Sequence, residues 1–250
     1  MNMERVWPRL LLTVTVFCTA ALFFCAGDNA VRTFAESPKP CLAGLVVAVD
    51  AGHGGYDGGA VGRVSGTPEK GLNLDVARRV EKLLEELGAD VVMTRTDDYA
   101  LCDENPPVRK KLQDMQRRAA IITQSGAQMV LSIHMNEYAG RGESGPQVFY
   151  REECPAGRLL AGALQEAMNT DLKPQKTRAA MGGDYYILTL GMPSALIECG
   201  FLSNKREEGL LLQAQYRQQV AEAIVQGVVS WAHLPGERPQ PLPKVERQEE

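Results

Sequence analysis

From Leu42 onward, short apolar runs rich in β-branched residues alternate with longer stretches whose apolar residues recur every three or four positions. That alternation leaves few architectures open, because a strand exposes its faces with period two and a helix its stripe with period 3.6. Leu45–Val49, "ADVVMT", "QMVLSIH", "QVFYR", "YYIL" and "SALIEC" are predicted as strands, with "QVFYR" on an edge. Leu72, Val76, Val80, Leu83, Leu84 and Leu87 mark a helix that stops at Gly88. Leu112, Met115, Ala119 and Ile122 mark a second, and Leu160, Ala163, Leu164, Ala167 and Met168 a third. Val220, Ile224, Val228 and Trp231 stripe the last. The order predicts an α/β fold: a single domain with a largely parallel twisted sheet of about six strands and helices on both faces. In open sheets of this kind, sites form beyond the carboxyl ends of the strands.

The net charge of -4 and the few aromatic residues give no basis for nucleic-acid binding. Arg5 and Arg9 precede an uncharged apolar run, Leu10 to Ala26, long for a signal-peptide core and near the lower limit for a membrane span. The basic flank stays in the cytoplasm and the remainder is exported. Residues 1–27 are therefore expected to be a membrane anchor or signal segment. An uncleaved anchor is favoured, since Phe24 and Asp28 fall where a signal peptidase wants small residues. Residues 28–41 read as a linker and 42–234 as the folded domain. Residues 235–250 are rich in Pro and charge, with nothing to bury, and are expected to be disordered. The six cysteines are scattered without a C-x-x-C pair, so isolated thiols are the default reading, with one disulfide open to an exported chain.

The stretch "VVAVDAGHGGYDGGAVG" carries His53 in a glycine-rich turn just after the first strand. It lacks both Gly-Lys-Ser/Thr and a G-x-G-x-x-G that opens a helix, which sets aside a phosphate loop. His134 closes the third strand, Glu198 lies near the end of another, and Glu69 opens the first long helix. All four are expected near one rim of the sheet. Two His and a carboxylate, with an open fourth position, is a common arrangement for catalytic zinc. Each residue also has a plainer reading. His53 can bond backbone carbonyls, Glu69 can favour the helix N-terminus by its charge, and His134 can be a satisfied core residue. His233, past the last helix, reads as surface. Glu198 is harder to dismiss, because a carboxylate inside "PSALIECGF" needs a cation, strong donors or a proton. Cys199, its neighbour, should point to the opposite face, which argues against a Cys199–His134 nucleophile pair.

Leu45 to Trp231 resembles the zinc-dependent N-acetylmuramoyl-L-alanine amidases. The matching segments are "VDAGHGGYDGGAVG", "PEKGLNLDVARRV", "VMTRTDD", "QRRAAIITQSGAQMVLSIHMN" and "MPSALIECGFLSN". The resemblance implies Zn2+ held by His53, Glu69 and His134, with Glu198 as the catalytic acid and base. It implies hydrolysis of the amide between N-acetylmuramic acid and L-alanine, with glycan strands bearing stem peptides as substrate. Asn136, close to His134, is carried as a substrate contact. The chain departs from the family at Ala51, where Pro is usual, at Glu137, where Ala is common, and at Thr123, where Asn is common. None of these removes an implied ligand.

Only "EYAGRGES" separates "SIHMN" from "GPQVFY", too short for the helical plug some relatives carry. A bare catalytic domain behind a short N-terminal segment is similar to the spore-cortex (CwlD-like) branch. That branch implies a forespore-associated enzyme that strips stem peptides, a deacetylase partner that completes muramic-δ-lactam, and an accessory protein. A non-catalytic peptidoglycan-binding module, or another zinc amidohydrolase or peptidase, are the alternative readings.

Overall fold

The computed structural model describes residues 41–235 other than 107 and 141. The N-terminal anchor or signal segment, the linker up to residue 40 and the tail from residue 236 lie outside the described residues. No helix among the described residues is long and apolar enough to cross a membrane.

The elements are β1 (Val46–Ala51), α1 (Glu69–Glu86), β2 (Asp90–Met93), α2 (Lys110–Gln124), β3 (Met129–Asn136), β4 (Gln147–Tyr150) and α3 (Pro155–Leu172). There follow β5 (Met181–Gly182), a 3-10 segment (Tyr186–Thr189), β6 (Ser194–Phe201), α4 (Lys205–Leu211) and α5 (Ala214–Ala232). The strands form one sheet in the order β2-β1-β3-β6-β4-β5. β2, β1, β3 and β6 run parallel; β4 is antiparallel to β6 and carries β5 parallel to itself.

Strand alternation sorts the core into two layers. Val47, Val49 and Ala51 of β1, Leu131 and Ile133 of β3, and Ile197 and Cys199 of β6 pack under α1, α3 and α5. The intervening residues Ala48, Val130 and Leu196 pack with Phe149 of β4 against Ile122 of α2 and against Ile187 and Leu188. One face thus carries α1, α3 and α5, and the short helix Lys205–Leu211 joins them there through buried Leu211. The other carries α2 and a single 3-10 turn.

Two strand expectations are corrected. "YYIL" is not a strand: Tyr186–Thr189 form the 3-10 turn, and consecutive Ile187 and Leu188 bury into the same cluster, which a strand's alternation forbids. "QVFYR" is not an edge: β4 lies between β6 and β5, and all four of its residues are buried. The sixth strand is instead the two-residue β5. The structure also adds α4, whose Asn204 side chain accepts from the N–H groups of Arg206 and Glu207 as an N-cap.

Candidate metal centre and hydrolytic site

The face that packs on α2 turns polar toward the carboxyl ends of its strands. Along β1 it reads Ala48, Asp50, then Gly52; along β3, Val130, Ser132, His134; along β6, Leu196, Glu198. Register aligns Asp50 with Ser132 and His134 with Glu198. The parallel sheet therefore delivers the polar side chains to one place.

His53 follows β1 directly and holds φ 62°, a left-handed conformation uncommon for a residue with a side chain. Glu69 begins α1, and the start of that helix is docked onto the glycine loop. The N–H groups of Glu69 and Lys70 donate to the carbonyls of Ala60 (2.9 Å) and Gly58 (3.2 Å). In return Glu69 Oε2 accepts from the Ala60 N–H at 2.6 Å. This leaves Oε1 facing both imidazoles, 3.1 Å from His53 Nε2 and 3.2 Å from His134 Nδ1. Buried Asn73, one turn along α1, donates Nδ2 to Glu69 Oε1 (2.9 Å) and to the Gly52 carbonyl (3.1 Å).

Two glycines are required by this packing. A Cβ on Gly52 would lie 2.3 Å from the His134 ring, and one on Gly59, at φ +70°, would lie 2.5 Å from Glu69 Cγ.

The three ligand atoms lie within 4.8 Å of one another, and the two rings are 5.0 Å apart, nearly perpendicular at 78°. Burial opposes a charge on His53, but Glu69 and Asp57 outweigh it and raise its pKa. Asp57 Oδ1 lies 2.9 Å from His53 Nδ1, off the line of an ideal hydrogen bond. Burial works against the Glu69 charge as well, yet hydrogen bonds with His134 and His53 hold its carboxyl well below the usual range. Two imidazole nitrogens and a carboxylate oxygen converging in this way fit a borderline divalent ion such as zinc.

Glu198 lines the same cavity of about 400 Å³ as His53 and His134, with Met115, Tyr185 and Tyr186 among the walls. Its Oε2 is buried without a hydrogen-bond partner. Burial pushes its pKa up to about 7, the His134 charge pulling down and the Glu69 charge pushing up. A carboxylate poised there can carry a proton in either direction at neutral pH. Cys199 points to the opposite layer, fully buried, where desolvation pushes its thiol up. Asn136 is half-buried at the end of β3, past a register shift, and is not among the cavity-lining residues. His233 is exposed at the C-cap of α5.

Beneath the site, Asp50 accepts from Arg118 Nη1 and Thr94 Oγ1 at 2.7 Å each and from Ser132 Oγ at 2.6 Å. Burial alone would raise its pKa; Arg118 and the two hydroxyls bring it down to about 2. The folded value lies below the unfolded one, so the stabilisation is complete above about pH 4 and is lost as pH falls through about 2. The full effect is about 2–3 kcal/mol. Urea unfolding of metal-free protein should show stability falling across that window, with a shallower fall in Asp50→Asn. An equal fall in both would remove Asp50 as the cause.

The residues not singled out from sequence are the supports: Asp57, Asn73, Arg95 and Arg118. Arg95 and Arg118 stand in the amidase-like segments "VMTRTDD" and "QRRAAII", where their presence is the available signal. Both are buried, at 1 % and 2 % exposure.

Comparison with known proteins places the chain among relatives. Residues 47–230 match the family described as N-acetylmuramoyl-L-alanine amidase. The chain is 36 % identical over 202 residues to a germination-specific N-acetylmuramoyl-L-alanine amidase of Bacillus subtilis, covering 80 % of this chain and 84 % of the relative. Its fold is similar to the CwlD amidase from Clostridioides difficile, solved in complex with the GerS lipoprotein. The TM-score is 0.72 at 34 % identity, over 75 % of this chain and 98 % of that one. It is also similar to the catalytic domain of CwlV, an amidase from Bacillus (Paenibacillus) polymyxa, with TM-score 0.65 and 28 % identity over 75 % and 97 % of the two chains.

Proposed function

The chain belongs to the N-acetylmuramoyl-L-alanine amidase family, and from that premise we propose that it hydrolyses the amide joining N-acetylmuramic acid to the L-alanine of peptidoglycan stem peptides. The observation that carries the reading is the convergence of His53, Glu69 and His134 beside Glu198, whose buried oxygen lacks a partner. His53, Glu69 and His134 would hold zinc. When bound, zinc supplies a Lewis acid that polarises the carbonyl and makes a nucleophile available at neutral pH.

The chain's own residues supply the rest. Glu198 takes a proton as water attacks the carbonyl carbon, then gives it to the departing L-alanine nitrogen. Burial raises the pKa of Glu198 above the usual carboxylate range, which suits a single group that must both take up and give back a proton. Glu69, fixed by Asn73 and the Ala60 N–H, keeps one oxygen toward the imidazoles. Met115, Tyr185 and Tyr186 wall the cavity that receives substrate. Asn136 stands as a substrate contact on the resemblance alone.

Similarity to the germination-specific amidase supports a place in spore-cortex maturation. That place carries with it export from the cytoplasm, a deacetylase acting on the stripped muramic acid, and muramic-δ-lactam as the end product. The complex of the CwlD amidase with a lipoprotein supports an accessory protein here too. Anchoring rests on Leu10–Ala26, outside the described residues.

Purified protein supplied with zinc should release stem peptides with free L-alanine amino termini from peptidoglycan, read by mass spectrometry of the digest. Glycan strands and stem peptides that stay joined with zinc bound at one equivalent, both alone and with the accessory protein supplied, would reject the amidase reading.

A further inference from the structure

Arg95 is buried to 1 % exposure, yet among the described residues no carboxylate forms an ion pair with it. Its pKa falls, from burial first and from the neighbouring Arg118 charge second. Asp50, Asp98 and Asp114 offset this from a distance without pairing to it; a buried cation without a directly paired anion is costly, so what holds it is informative. All its hydrogen bonds go to backbone carbonyls. Nε donates to Ala51 (2.8 Å), Nη2 to Gly52 (2.9 Å) and to Lys70 (2.8 Å), and Nη1 to Asp97 (3.0 Å).

Those carbonyls belong to separate segments. Ala51 and Gly52 lead directly into His53, and Lys70 follows Glu69 in the first turn of α1. One nitrogen, Nη2, bridges the two. Arg118 completes the grip from α2, donating to the Ala51 carbonyl (2.8 Å) and the His53 carbonyl (2.6 Å). Three consecutive carbonyls thus turn toward two guanidinium groups, and the His53 backbone is held in its left-handed conformation.

We propose that Arg95 is a positioning residue for the metal centre, fixing the spacing between the turn that presents His53 and the helix start that presents Glu69. The inference rests on the zinc reading above. A lysine would keep the charge but not the planar fork: its three donors sit on one nitrogen, whereas the four carbonyls here are met by three nitrogens spread across the guanidinium. The role acts through two ligands, so its signature is the metal site rather than overall stability.

The test compares wild type, R95K, R95Q and a core control, Ile122→Val, a conservative change in the core layer packed on α2 that removes no hydrogen bond. Zinc affinity is measured by competition with a chromophoric chelator, ligand geometry by visible absorption of the cobalt(II)-loaded proteins, and stability by thermal unfolding without metal. R95K and R95Q should bind zinc about 10- to 100-fold more weakly with altered cobalt bands, while Ile122→Val keeps wild-type affinity and bands. The inference is overturned if either folded Arg95 variant stays within two-fold of wild type with unchanged bands, or if Ile122→Val loses as much. Failure of both Arg95 variants to fold also overturns it, since the fork would then serve the fold as a whole. Wild-type protein that binds no zinc overturns the metal reading as well; binding by wild type with unchanged R95K overturns the positioning role alone.

Discussion

Glu198→Gln leaves zinc at one equivalent and lowers stem-peptide release by about 10²–10⁴-fold, the range by which a positioned acid–base group contributes. The substitution keeps the size of the side chain and removes only its capacity to exchange a proton. Glu198 is not among the three clustered ligands, so the metal has no reason to leave. Its orphaned buried oxygen gives up no existing hydrogen bond when it becomes an amide. The loss should therefore fall on kcat, with KM nearly unchanged, because the substrate walls are untouched. The fold should be as stable as wild type or more so, since a costly buried carboxylate has gone. Muropeptide mass spectrometry and metal analysis on one preparation decide the matter. Turnover within ten-fold of wild type would take the proton-carrier role from Glu198.

His134→Ala gives a different pattern: zinc and activity are lost together. The ring contributes one of three ligand atoms and contacts Glu69 at 3.2 Å. Removing a direct ligand should cost more than the roughly 10–100-fold that outer partners cost. Thermal unfolding provides the independent readout. A ligand that binds only the native state stabilises it by about 2.7 kcal/mol at one hundred times its dissociation constant, so zinc should raise the wild-type midpoint and leave His134→Ala unmoved. Treating wild type with a chelator should reproduce the mutant, and added zinc should restore only wild type. A His134→Ala protein that keeps the zinc-dependent midpoint would show that the ion binds elsewhere.

The strands and the rim could be read from the sequence because their signals are local. β1, β3 and β6 are covered on both faces and buried almost throughout, so they show in the sequence as short, nearly continuous apolar runs, and His53, His134 and Glu198 stand at or near the ends of those runs. Two local signals misled. "YYIL" is a short apolar run, which periodicity cannot assign, and it became a 3-10 turn because both Ile187 and Leu188 had one cluster to fill. "QVFYR" gained the two-residue β5 as a neighbour, a pairing too short to leave a pattern.

The supporting residues were illegible for a different reason. Arg95, Arg118, Glu207 and Glu208 carry the composition of a solvated surface, yet all are buried because they satisfy backbone from distant segments. Glu207 accepts from the N–H groups of Gly145 and Phe201, and Glu208 from those of Val64 and Ser65. Nothing in the neighbouring residues announces such long-range partners. Helix α4 is not among the predicted helices, although Asn204 caps it and acidic Glu207 and Glu208 stand in its first turn.

The unequal dressing of the sheet, four helices on one side and a single helix with one turn on the other, divides the labour of its strands by parity. Val47, Val49, Ile133 and Ile197 face the heavily covered side; Asp50, Ser132, His134 and Glu198 alternate with such positions and face the lightly covered one. Sequence variation along β1, β3 and β6 is thus sieved twice in each step of two residues. One filter asks whether the chain still folds, and the next asks whether it still cuts. A drifting lineage could lose its chemistry through the second filter while passing the first, and would survive as an intact wall-facing scaffold.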